Sequence, residues 1–201
     1  MIPETNFPDL SSDKAFRVVG FFMAREMTGQ IKQISDPCLL SMVKAFFRMV
    51  DGVFIDYQAA RQSYYQFYQD ENLGGSLPIS IPLVAMLHHI ENCLSNLVRV
   101  REMADAIRIR KPTVDIGSLI DKNEWKIAEV HEGKISGIRN AIQHRHNDLK
   151  RGVDSQGAIQ HQVTGHISLG CNSLALTDLA ATLKQFQKIA VNMIETLIQK
   201  V

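Results

Sequence analysis

The sequence predicts an all-α fold: an antiparallel bundle of four or five helices, with a small irregular or β-hairpin insertion before the last one. Three observations predict it. Long segments repeat apolar residues at steps of three and four, the period of a helix that buries one face. The clearest case is the final stripe, Leu176, Leu179, Leu183, Phe186, Ala190, Met193 and Leu197, which alternates those steps throughout. Loop signals are few, and 201 residues at 45% hydrophobic composition are enough to bury the core of a single domain over 1–201.

Taken in order, Ser11, Ser12 and Asp13 supply N-cap chemistry for a first helix over about 12–34. Asp36-Pro37 opens a second, with Asp36 as cap and Pro37 at the first helical position, running to about 70 with Gly52 as a candidate bend. NLGGSLPISIP, residues 72–82, is a loop by its glycines and prolines. A third helix over about 82–110 stops before Pro112. A fourth begins near 116–118 and continues through the basic stretch at 138–151. Residues 152–175 hold turn glycines and short alternating runs such as Val163 to Leu169, which predict two short strands. Thr177 or Asp178 then starts the last helix.

The 22 basic and 21 acidic residues nearly cancel, so a nucleic-acid or membrane partner must rest on local clustering rather than on global charge. Cys38, Cys93 and Cys171 form no CxxC pair, so neither a zinc ribbon nor a disulfide framework is implied, and reduced thiols in a cytoplasmic protein are the plain reading. MIPETNFPDLSSDK has no basic region followed by an apolar one, as a secretory leader has. No apolar run approaches the ~20 residues that span a bilayer, so no membrane association is expected. Phosphate-loop, GxSxG and HExxH patterns are all missing, which removes the familiar nucleotide-fold, hydrolase and zinc-protease chemistries.

Other clusters have ordinary readings. In HHIEN, His88 and Glu91 share a helix face as metal ligands do in di-metal bundles. The order is reversed and no second copy exists, which favours capping and core hydrogen bonds. SYYQFYQ, residues 63–69, has rings on which bases stack, but packing or an interface is the commoner use. RVREMADAIRIRK, residues 99–111, reads as a solvated face unless it lines a groove with the later basic stretch.

That later stretch, IRNAIQHRHNDLKR at 138–151, gathers Arg139, His144, Arg145, His146, Lys150 and Arg151. Arg139 is followed by the polar Asn140 and, five residues on, by His144. His146 fits the wider spacing of Arg-x6-His. In this place, late in a helical bundle, RNAIQH resembles the Arg-x4–6-His motif of the HEPN superfamily, often written Arg-Asn-x3-His. The resemblance covers the helical plan of the whole chain and this one motif. It implies a HEPN-like bundle, a metal-independent endoribonuclease of the toxin or phage-defence kind, no cofactor, and a homodimer whose two motifs face one cleft. It further implies that Arg139 binds phosphate, Asn140 orients the site and His144 moves protons, with His146 as substitute or helper. Arg145, Lys150 and Arg151 would gather RNA. An antitoxin or nucleotidyltransferase partner is also implied, although position 146 is histidine where the nucleotidyltransferase-modified toxins carry tyrosine. On an unbroken helix His146 is the better companion of Arg139, so a preference for His144 supposes that the helix frays or turns there. Two other readings use the same bundle: a non-catalytic HEPN-like module that binds a nucleotide, RNA or a protein, and a purely structural bundle.

Overall fold

The protein is described from a computed structural model, for residues 7–11, 18–31, 34–72, 80–110, 119–150, 160–162, 165–169 and 171–198. Six helices and three short strands follow one another among these residues: α1 (Val18–Met27), α2 (Pro37–Asn72), α3 (Ser80–Ile109), α4 (Lys122–Ala128), α5 (Glu132–Lys150), β1 (Gln160–Gln162), β2 (His166–Leu169), β3 (Asn172–Ala175) and α6 (Leu176–Leu197). The molecule is thus mostly helical, with a small antiparallel sheet before the last helix.

The first helix is shorter than its spacing predicts. The expected start at residue 12 lies outside the described residues, and the end comes at Met27 rather than near 34. Gly29 stops it, because its φ of 68° is open to a residue without a Cβ. Gly29 N–H donates to Glu26 O (3.0 Å) and Gln30 N–H to Arg25 O (2.9 Å), a Schellman pair that satisfies the last carbonyls. At its other end, the N–H groups of Val18 and Val19 are capped from α2 by Asp51, whose Oδ1 and Oδ2 accept at 3.1 and 3.0 Å.

α2 begins as the sequence predicts. Asp36 Oδ1 accepts from Cys38 N–H (2.9 Å) and Leu39 N–H (3.2 Å), and Pro37 occupies the first helical position. The helix then passes through Gly52 without a break, and open space surrounds the position of the missing Cβ. Glycine there leaves only its entropic cost. Gly52→Ala is therefore expected to stabilise the fold by about 0.5–1 kcal/mol, read from the urea midpoint at unchanged slope.

α2 and α3 form an antiparallel helical hairpin. Asn96 donates to Asp56 Oδ2 at 3.0 Å, and the two residues lie equally far from the connection between the helices. At the far end, Arg110 Nε reaches back to Asp36 Oδ2 at 2.7 Å. Hydrogen bonds from Arg110 and from the Leu39 and Cys38 N–H groups hold the Asp36 carboxyl below the usual carboxylate range. The folded chain therefore binds fewer protons near pH 4 than the unfolded one. The resulting stability is complete above the unfolded pKa and drains away as pH falls through the lowered folded value. Asp36→Asn, which keeps the cap and removes the charge, should lower Tm at neutral pH and make its decline in acid shallower. A series of melts between about pH 3 and 7 reads both changes.

The predicted fourth helix is two helices. Asp121 caps α4 through Asn123 N–H (2.8 Å) and Glu124 N–H (3.2 Å), and α4 buries Trp125 and Ala128. The chain then turns at Glu129–His131 before α5 starts. Arg101 of α3 pins this corner from both sides, with Nη2 at 3.2 Å from Glu129 and Nη1 at 3.6 Å from Glu132. The tertiary ion pairs and the burial of Trp125 fix the corner, and helical periodicity alone does not display them.

Three strands stand where two are predicted. They pair antiparallel in the order β1-β2-β3, with Ile167 opposite Leu174 and His161 opposite Ile167. α6 starts directly from β3 at Leu176, one residue before Thr177. Ala175 holds the cap position without a side-chain bond, and Leu176 N–H donates instead to Gly165 O at 2.8 Å. All seven residues of the predicted α6 stripe are buried. They close a core with Phe46, Phe47 and Phe54 of α2 and Ile90, Leu94 and Leu97 of α3. An isolated bridge between Ile31 and Ile198 ties the two ends of the fold together.

Candidate functional site

The basic stretch lies on α5. Its apolar side, Ile135, Ile138 and Ala141, is buried. Ala141 packs with Leu169 of β2, and Leu87 of α3 and Ile142 join that contact. Gly137 allows the sheet to approach: a Cβ built there would stand 2.7 Å from Oδ1 of Asn172, on β3. A glycine inside a helical pattern is the available sequence signal for such a close approach.

Arg139 sits at the edge of this buried face and is half-exposed. Its Nη1 donates to Oδ1 of its neighbour Asn140 at 3.1 Å, and its Nε is buried without a hydrogen-bond partner among the described residues. Among the described residues it has no carboxylate partner. Four other arginines are paired, Arg61 with Asp9, Arg101 with Glu129 and Glu132, Arg108 with Asp105, and Arg110 with Asp36, whereas Arg25, Arg48 and Arg99 share with Arg139 the lack of a carboxylate partner among the described residues. Three of the cations in the 99–111 cluster, Arg101, Arg108 and Arg110, are thus matched by carboxylates, and Arg99 is exposed without such a partner among the described residues. Lys111 is outside the described residues.

Asn140 and His144 are exposed, as is Lys150 in the last turn. The side chains of Arg145 and His146, and the whole of Arg151, lie outside the described residues. The backbone nonetheless decides one expectation. α5 continues as a helix to Lys150, so the fraying supposed at His144 does not occur. At about 100° per residue, position 144 is rotated about 140° from Arg139, and position 146 only about 20°. The regular helix pairs Arg139 with position 146 and turns His144 toward a different side.

In the HHIEN stretch, Nε2 of the exposed His88 lies 3.1 Å from Nδ2 of Asn92 one turn on, a contact within α3 and neither a helix cap nor a core bond. Among the described residues no group of three histidine, cysteine or acidic side chains is arranged to hold a metal ion. Tyr64 is buried against Phe7, Tyr65 and Tyr68, so the aromatic stretch is mainly packing. Cys93 is buried, and burial pushes its thiol well above the usual range, whereas Cys38 and Cys171 are exposed. No helix among the described residues is long and apolar enough to cross a membrane. Compared with known proteins, the chain matches no family model, no curated protein and no solved structure.

Proposed function

We propose that the chain is a HEPN-like, metal-independent endoribonuclease that works as a homodimer, with Arg139 as its phosphate-binding group. The observation that carries this reading is the state of Arg139: a guanidinium without a carboxylate partner among the described residues, steadied by Asn140 at 3.1 Å on a helix that runs on to Lys150. A guanidinium keeps its charge and grips phosphate oxygens through paired N–H donors.

The chemistry follows from these residue types. One imidazole removes the proton from a ribose 2′-hydroxyl, and the 2′-oxygen attacks phosphorus. The bond to the 5′-oxygen breaks, and a second imidazole protonates that oxygen, leaving a 2′,3′-cyclic phosphate. An imidazole exchanges protons near neutrality, and Arg139 offsets the charge that builds on the phosphorane. One histidine does not serve as acid and base at the same moment. Two motifs facing each other across a dimer supply both, with position 146 as the proton carrier on the face of Arg139. Lys150, and Arg145 and Arg151 beside it in sequence, would attract RNA, so affinity should fall as salt rises.

The test is to incubate the purified full chain with single-stranded RNA and excess chelator, and to identify the product ends. Cyclic phosphate ends whose yield falls when Arg139→Ala chains are mixed in under subunit exchange support the reading. Absence of cleavage by wild type across a panel of RNAs would overturn it.

A further inference from the structure

A different surface, on α2, carries its own chemistry. Gln58, Arg61, Gln62, Tyr65, Gln66 and Gln69 line an open concavity of about 810 Å³. Its volume falls within the range of about 300–1,000 Å³ that ligand sites occupy. Its floor is one helical stripe of four amides, one ring and one guanidinium.

The charge in this groove is already settled. Arg61 Nη2 lies 3.3 Å from Asp9 Oδ2, its Nε donates to Phe7 O at 3.1 Å, and its guanidinium stacks over Tyr65 at 4.6 Å from the ring centroid. The one cation among the described lining residues is thus committed, which disfavours a phosphate chain. What remains are the exposed amides of Gln62, Gln66 and Gln69, which donate and accept at once, the pairing that a peptide main chain requires.

The spacing agrees. Gln58, Gln62, Gln66 and Gln69 step along α2 by about 6, 6 and 4.5 Å, at 1.5 Å per residue. Main-chain groups on one side of an extended strand recur about every 6.6 Å. The same helix already holds polypeptide in this manner at the flank of the groove. Tyr57 Oη donates to Pro8 O at 3.0 Å and Arg61 Nε donates to Phe7 O, and a half-turn of the Gln58 amide would bring its oxygen to accept from the N–H groups of Leu10 and Ser11. The groove continues that surface with Gln62, Gln66 and Gln69, whose side chains are exposed.

We infer that this groove binds an uncharged, extended segment of a partner polypeptide through its main chain. To test it, the full chain is panned against displayed seven-residue random peptides. Enriched sequences are then synthesised with blocked ends and titrated by fluorescence anisotropy. Peptides poor in charge are expected. Their affinity should fall at least tenfold in the Gln62→Ala/Gln66→Ala double variant at unchanged Tm, and N-methylation of alternate peptide amides should abolish binding. No enrichment, or equal affinity in wild type and double variant, overturns the inference. So does a ten-residue single-stranded RNA whose binding drops tenfold in the same variant, since that result makes the groove a nucleic-acid site. None of these outcomes depends on RNA cleavage at α5.

Discussion

Phe7→Ala should cost about 3–5 kcal/mol of stability, the cost expected when a fully buried aromatic ring leaves a packed core. Phe7 lies before the first helix, where a side chain is usually dispensable. Here it is completely buried, with its ring 5.1 Å from that of Tyr57 and 5.5 Å from that of Tyr64. Its carbonyl accepts from Arg61 Nε, and the next carbonyl, of Pro8, accepts from Tyr57 Oη. Removing the ring opens a cavity between the two tyrosines and loosens the backbone that these bonds hold. Urea denaturation reads the loss directly. Phe7→Leu, which retains most of the apolar volume, should lose far less, because it leaves a much smaller void. A loss under about 1 kcal/mol for the alanine variant would show that the site collapses around the gap, or that the segment is not part of the cooperative core.

Nothing in the sequence marks Phe7 as core, because it has no periodic neighbours: NFPDL is neither a helical stripe nor an alternating strand. The legible parts of the fold were those in which local chemistry and burial agree. Asp36-Pro37 opens α2 because cap and proline act within three residues, and the α6 stripe is buried because one helix face carries its whole apolar surface. The unread parts depend on distant partners. Arg101 meets Glu129 and Glu132 from another helix and fixes the corner between α4 and α5. Gly165 O takes the first N–H of α6 and makes a side-chain cap unnecessary. Gly29 is the intermediate case. A glycine within a helical pattern signals a stop, but the apolar spacing continues past it and masks the signal.

The candidate site was legible to a similar degree and for a similar reason. Arg139, Asn140 and the two histidines stand out by type and spacing, and helical geometry alone ranks position 146 above 144 as the companion of Arg139. The preference for His144 came from the spacing of a motif and required the helix to end early. Asp148 and Leu149 contain no breaker, and α5 runs on to Lys150. What spacing does not show is that Arg139 stays clear of the carboxylates that capture Arg101, Arg108 and Arg110. The Arg108 pair is local, three residues apart on α3, whereas the partners of Arg101 and Arg110 lie elsewhere in the chain and meet them only in the fold.

Three single substitutions should therefore separate sharply in a cleavage assay. Under the ribonuclease reading, Arg139→Ala and His146→Ala should each lower the rate of RNA cleavage by roughly 10²–10⁴-fold, the contribution expected of a positioned proton-transfer group or of a lost charge stabiliser. His144→Ala should stay within a few-fold of wild type, because an exposed side chain about 140° around the helix does not meet the phosphate that Arg139 holds. Arg139→Lys separates charge from geometry. An ammonium keeps the charge but loses the paired donors and the bond to Asn140 Oδ1, so it should restore binding more than turnover. His144→Ala, at an exposed position, should not shift Tm by more than about 2 °C, because surface substitutions seldom exceed ±0.5 kcal/mol. Arg139 is the variant to watch, since its Nε is buried. The pH profile supplies a further readout: with two imidazoles acting as base and acid, the rate should be bell-shaped about neutrality, and His146→Ala should flatten both limbs. The opposite ranking, with His144→Ala inactive and His146→Ala close to wild type, would mean that α5 unwinds when RNA binds and that the site forms only in the complex. Equal activity in all three alanine variants of a wild type that does cleave would move catalysis away from α5 altogether.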